Sequence, residues 1–305
     1  MGTTGLMSTR QVLAAAAFAV VAAAASVATA AEGQPTPPKE RWSFAGVFGT
    51  FDRAQLQRGF KVYREVCQSC HQLKIPFRTL AQNGGPEFSP AQITALAAEY
   101  KLQDGPNDAG EMFERPARPA DYIPWIHPNE NAAAAANGGK APPALQIIAK
   151  ARGYERGFPL FLVDVIPFFQ YQEHGVDYLH ALLNGYEAPP EGVTVPPGGH
   201  YNAYFPGHII AMPKPLNDGQ VEYPKSPDGK AVVPETVEQY SRDIAAFLMW
   251  AAEPALEQRK RIGFMALLFL AVFAYLLYYV KKKVWADAGG EAEGSPGTAP
   301  LGPTG

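Results

Sequence analysis

Two unbroken apolar runs stand near opposite ends of the chain, and between them hydrophobic positions recur at intervals of three and four. From Val12 to Val27 the residues are Ala and Val with single Leu, Phe and Ser residues, preceded by one charge, Arg10, and followed by Ala28-Thr29-Ala30. A short basic start, an apolar stretch and an Ala-x-Ala close predict a cleavable secretory signal over residues 1–30. The second run, Ile262 to Val280, reads IGFMALLFLAVFAYLLYYV without a charge or a proline. At about 1.5 Å per residue it rises roughly 28 Å, close to the ~30 Å thickness of bilayer hydrocarbon, which predicts a transmembrane helix over 262–280. Tyr275, Tyr278, Tyr279 and Trp285 at one end and Trp250 before the other fit rings at the lipid–water interface. The Gly/Pro/Ala-rich end, 284–305, is expected to be a disordered tail.

The middle, 31–256, is expected to be one exported domain. Leu56, Phe60, Tyr63 and Val66 share one face of a helix over Asp52–Val66. Val237, Tyr240, Ile244, Phe247 and Leu248 do the same over Glu235–Ala252, and the two stripes are expected to pack together. The class is mainly α. The Phe- and Pro-rich stretch 157–172 carries no functional reading.

Composition adds little to this pattern, but charge adds something. With 47% hydrophobic and 11% aromatic residues, the 305-residue chain can bury a core. The formal net charge is −3 and no basic patch appears, so no nucleic-acid partner is expected. Within 31–256 there are 19 basic and 25 acidic residues, a net of −6, and such a field favours cationic partners. Basic residues flank the apolar helix on both sides, at Arg259, Lys260 and Arg261 and again at Lys281, Lys282 and Lys283. The flanks therefore orient it weakly. The signal decides, sending 31–256 to the periplasm and leaving the Lys-rich end in the cytoplasm.

An exported domain with two cysteines ordinarily suggests a disulfide. Here they fall in Cys67-Gln68-Ser69-Cys70-His71, the C-x-x-C-H arrangement that attaches c-type haem. Two thiols add to the haem vinyl groups as thioethers, and the adjacent histidine becomes the proximal iron ligand. A thioredoxin-like redox pair needs no histidine, and a zinc site needs another Cys pair or a His pair, while no further Cys exists.

The other axial position is filled by Met or His in electron-transfer proteins and left open in catalytic or gas-binding ones. Past the signal four methionines remain. Met265 lies in the apolar helix, Met249 on the helix before it, and Met112 among acidic residues. Met212 stands in Phe205-Pro206-Gly207-His208-Ile209-Ile210-Ala211-Met212-Pro213, a stiff apolar loop suited to cover a haem face. A methionine filling a core gap fits the same context. His127, His174, His180, His200 and His208 are the competing histidines.

At this point the residues resemble a family. RGFKVYREVCQSCH (58–71), ANGGKAPPALQIIAKAR (136–152), DYLHALLNGYEAPPEG (177–192), YNAYFPGHIIAMPKPL (201–216) and FLMWAAEPALEQRKRIG (247–263) stand in the order found in cytochrome c1, the haem subunit of bacterial ubiquinol–cytochrome c reductase. The resemblance runs from Trp42 to Trp285. It implies a cytochrome c-like haem domain with large loop insertions and one C-terminal anchor. One haem c is implied, covalently held by Cys67 and Cys70, with His71 proximal and Met212 distal. Arg152 matches the arginine that pairs with a haem propionate, and Asn137, Pro142, Pro143, Leu145, Tyr178 and Phe205 match pocket positions. Where the family has Pro-Pro-Asp-Leu, this chain has Pro142-Pro143-Ala144-Leu145, which removes whatever contact that Asp makes.

The implied partners are cytochrome b and a Rieske iron–sulfur protein in a dimeric membrane complex, with a soluble c-type cytochrome as acceptor. The subunit itself makes and breaks no substrate bond. Two rivals are a free membrane-anchored cytochrome feeding an oxidase and an open-coordination haem enzyme or gas sensor.

Overall fold

The computed structural model describes residues 35–153, 174–225, 227 and 232–286. The expected signal, the 157–172 stretch and the tail beyond residue 286 lie outside them. The chain divides into two units, one ending at Glu257 and the other beginning at Gln258.

In the first unit, α1 (Arg53–Glu65) starts where Asp52 accepts a hydrogen bond from the Gln55 amide at 3.2 Å. Asp52 and Val66, counted into the helix by periodicity, are its caps. A 3-10 turn over Cys67–Ser69 follows at once, and a second spans Phe77–Ala81. Helix α2 (Pro90–Ala98) opens on a capping box between Ser89 and Gln92. Strands β1 (Lys101–Asp104) and β2 (Phe113–Pro116) form an antiparallel hairpin. The short helices α3 (Glu130–Ala136) and α4 (Ile148–Ala151) lead to α5 (His174–Asn184). A two-residue ladder, β3 (His200–Tyr201) with β4 (Ile209–Ile210), precedes α6 (Val237–Ala252). Thr236 caps α6, while the Glu235 carboxylate, outside the helix, accepts from the Tyr223 amide at 2.8 Å. The unit is mainly helical, as its periodicity predicts.

The two amphipathic stripes do meet. At Gly59 the backbones of α1 and α6 come so close that a Cβ would lie 2.2 Å from the Asp243 carbonyl oxygen. Phe60 and Tyr63 lean on Phe247 with ring centroids 5.7 and 6.3 Å apart. Arg58 donates to both oxygens of the fully buried Asp243, at 2.8 and 3.1 Å, and Tyr223 and Gln239 donate to the same carboxylate. The buried charge is thereby paired and hydrogen-bonded, as a low-dielectric interior demands. Helix α5 packs on α4 through Gly175, where a Cβ would come 1.9 Å from the Ala149 carbonyl oxygen. The N-terminal strap joins this helix through Trp42, whose indole donates to buried Asp177 at 2.7 Å.

Helix α7 (Leu256–Ala286) crosses the division and carries the second unit; its 31 residues exceed the apolar run by turns at both ends. Its most apolar window has a mean hydropathy of 2.2, and it is long and apolar enough to cross a membrane. Residues 284–286, expected to begin the tail, are helical. The flanking Glu257–Arg261 and Lys281–Lys283 segments are good helix formers with no proline, so hydropathy measures the apolar thickness and not the helix.

Candidate functional site

The Cys-x-x-Cys-His segment folds back on itself as it leaves α1: the amides of Cys70 and His71 both donate to the Cys67 carbonyl, at 3.1 and 2.8 Å. Each carbonyl that follows is taken by a different part of the chain. The Trp125 indole donates to Cys70 O at 3.0 Å, the Tyr63 hydroxyl to His71 O at 3.3 Å, and the Leu145 amide to Gln72 O at 2.8 Å. Gln68 inside the motif accepts from the Tyr100 hydroxyl at 3.0 Å. The motif is half-buried apart from exposed Ser69, and its backbone is fixed from three sides.

The ring of His71 is set by one contact. Its Nδ1 lies 2.8 Å from the Pro143 carbonyl oxygen. A carbonyl only accepts, so Nδ1 carries the proton and Nε2 keeps its lone pair for a metal. Burial holds the imidazole's pKa below its ordinary value, against the weaker opposing pull of the Pro143 bond. Burial thus favours the neutral form, the form a metal ligand must take. Burial, helped by the neighbouring Cys70, pushes the Cys67 thiol up to about 12. A thioether in its place would have no proton to lose.

Met212 and Phe205 occupy the 199–216 loop, half-buried, and both pack on the hydrophobic core that also receives Cys67 and buries Leu145 and Tyr178. The loop is organised by Asn202, which is fully buried, donates to Leu182 O at 2.8 Å and accepts from the amides of Tyr204 and Phe205. The Tyr186 hydroxyl donates to Met212 O at 3.0 Å. Of the other methionines outside α7, Met249 is buried on α6 and Met112 is exposed near β2. His180 is bound to Ser241 and Glu238, and His208 stacks on Tyr201.

Arg152 and Tyr178 come together in a cavity of about 220 Å³ that Tyr204, Pro206, Pro35 and Pro37 also line. Burial raises the Tyr178 pKa and the Arg152 charge opposes the rise. Arg152 caps α4 with an exposed side chain that has no hydrogen-bond or ion-pair partner among the described residues, and so is free for an anionic group. Asn137 spends its side-chain amide on Ala133 O at 2.8 Å, closing α3; no hydrogen bond among the described residues ties it to the motif. Pro142 is half-buried and Pro143 is exposed.

These residues fit a haem on their donor chemistry. Among the described residues no group of three or more His, Cys, Asp or Glu side chains is placed to hold a bare metal ion. One imidazole nitrogen and one thioether suffice only when the remaining four ligands arrive with a macrocycle, and two adjacent thiols and a free guanidinium suit its vinyl and carboxylate edges. Reasoning from residue type missed Trp125, Tyr63 and Tyr186, whose polar atoms act on distant backbone carbonyls and leave no motif.

Residues 42–288 match the model of the Cytochrome C1 family. A protein of Bradyrhizobium diazoefficiens named cytochrome b/c1 is 61% identical over 263 residues, covering 86% of this chain and 37% of that longer protein. Cytochrome c1 of Blastochloris viridis is 50% identical over 265 residues, covering 86% of this chain and 91% of the relative. Cytochrome c1 of Rhodospirillum rubrum is 40% identical over 288 residues, covering 89% and 95%. With the family model spanning most of its length, from the strap at Trp42 through the Cys-x-x-Cys-His turn and the Met212 loop to the end of the apolar helix, the chain belongs to the cytochrome c1 family.

Proposed function

We propose that this chain is the haem-bearing electron carrier of a cytochrome bc1 complex, taking single electrons from a Rieske iron–sulfur protein and passing them to a soluble c-type cytochrome. When bound, the haem supplies a one-electron iron couple; no substrate bond is made or broken here. Cys67 and Cys70 hold it covalently. His71 would present Nε2 from a ring held by Pro143, and Met212 would present its thioether from the 199–216 loop. Arg152 pairs with a propionate, a charge-assisted contact with room for two parallel hydrogen bonds. Asn137, Pro142, Leu145, Tyr178 and Phe205 would line the haem pocket and exclude water from it. A thioether ligand raises the potential, which suits delivery to another high-potential centre.

In this reading residues 1–30 are removed on export, 31–256 form the periplasmic haem domain, and the apolar helix anchors it beside cytochrome b in a dimeric complex of the cytoplasmic membrane. The tail is cytoplasmic. The observation that carries the proposal is the 2.8 Å contact of His71 Nδ1 with Pro143 O, which leaves Nε2 available to a metal inside a Cys-x-x-Cys-His turn. Met212→Leu tests it. The far-red methionine–iron band is expected to vanish and the midpoint potential to fall by on the order of 0.1 V, within the range over which axial ligands move haem potentials. An unchanged band and potential would refute the ligand set.

A further inference from the structure

We infer that Tyr186 is a positioning residue that holds Met212 in place as an iron ligand. The inference rests on the reading of Met212 as the distal ligand and adds to it the group that keeps the thioether from swinging away. After β4 the chain leaves its ladder, and from Ala211 to Leu216 it has no regular structure. Pro213 and Pro215 have no amide hydrogen to donate, so this stretch is poor in ways to tie itself down. Among the described residues the only hydrogen bond to Met212 is the one its carbonyl oxygen accepts from the Tyr186 hydroxyl, at 3.0 Å.

Tyr186 is itself well placed to be a fixed post. One residue, Gly185, separates it from the end of α5, and it pairs with Asn202 in an antiparallel bridge. The Ala203 amide donates to Gly185 O at 2.9 Å, and a Cβ at Gly185 would meet Tyr204 and Asn202 at 2.8 and 2.9 Å. The close approach of these two strands is built on that glycine. The rigid start of the 199–216 loop and the post that grips its far end are thus one unit. The hydroxyl reaches the backbone of the ligand residue, so its effect on the iron would pass through Met212.

The test uses the full-length, haem-loaded protein in its membrane complex. Tyr186→Phe removes one oxygen and keeps the ring. The far-red band is expected to persist in the resting variant but to be displaced by added imidazole at about one-fifth of the concentration the unaltered protein requires. That is a fivefold rise in the ligand-free population, the factor given by one lost hydrogen bond of ordinary strength. Carbon monoxide should bind the reduced variant faster by a similar factor. Tyr240→Phe is the control: it deletes a buried hydroxyl that donates to a backbone carbonyl, Val221 O at 2.6 Å, away from the loop. It is expected to lower stability and leave both spectroscopic readouts unchanged. Equal shifts in the two variants, or none in Tyr186→Phe, overturn the inference. Failure of Tyr186→Phe alone to accumulate with haem makes the hydroxyl a folding requirement, and also overturns it. A missing far-red band in the unaltered protein removes the ligand reading itself, which keeps the two failures distinct.

Discussion

His180 shows how a single buried side chain sets a pH dependence unconnected with electron transfer. It is 5% exposed on α5, with Nδ1 2.9 Å from Ser241 Oγ and Nε2 3.2 Å from a Glu238 carboxylate oxygen. Burial lowers its pKa first of all; Glu238 and Glu40 pull it up, and Arg242 pushes it down. The unfolded chain takes up this proton near pH 6.5, the folded chain only at lower pH. Below about 6.5 the unfolded state therefore binds more protons, and stability falls with pH until the depressed folded value is reached. The slope has a ceiling of about 1.4 kcal/mol per pH unit from one group. Denaturant unfolding at pH 7.5 and 5.5 checks it: the unaltered protein should lose more stability across that interval than His180→Asn does. Equal losses would mean that the histidine titrates alike in both states.

At the scale of elements, the crossing of α1 and α6 is the joint on which the haem motif hangs, since only Val66 separates the end of α1 from Cys67. Gly59→Ala is expected to destabilise the domain by about 3 kcal/mol, because the new methyl meets the Asp243 carbonyl at 2.2 Å and Phe247 Cβ at 2.6 Å. For a domain of this size that is roughly 6–12 °C in the melting temperature. A melt superimposable on that of the unaltered protein would show the helices free to separate there. Both helices were legible in the sequence because each buries one face, and a one-sided burden imposes a 3.6-residue period. Their ends were off by one or two residues because Asp52 and Thr236 act as caps, which periodicity does not see. Helix α5 left no stripe: from Gly175 to Leu182 every residue is buried. The β1–β2 hairpin left none either, since its strands are largely exposed and Arg115, bonded to Asp104 and Asp121, holds its base. In the site, Cys67, Cys70 and His71 were legible because attachment needs them adjacent. Trp125 and Tyr186 were not, because any donor of the right reach serves a carbonyl, and only the fold decides which one arrives.

For the molecule as a whole, the net of −6 carried by residues 31–256 acts at a distance before any contact is made. The charge is not evenly spent. Asp104 and Asp121 share Arg115, and Asp243 is paired with Arg58, so most of the charge on these carboxylates is offset locally. Asp108, Glu111 and Glu114 are exposed on the hairpin around Met112 and Phe113, which are 61% and 42% exposed. A cationic soluble cytochrome approaching in dilute salt is drawn by this field, and the Debye length of about 10 Å at 0.1 M cuts the pull off. The bimolecular rate of electron transfer to such an acceptor is therefore expected to fall about tenfold between 20 and 200 mM ionic strength, the lower end of the range that steering supplies. An anionic acceptor of similar potential should show a flat or rising rate over the same interval. Replacing Asp108, Glu111 and Glu114 together by their amides should flatten the salt dependence for the cationic acceptor, while the rate at high salt, where contact chemistry dominates, stays unchanged. Stopped-flow reduction of the two acceptors by the intact complex separates the cases. Equal salt dependence for both would mean that the acidic balance of this domain serves solubility and has no part in choosing the partner.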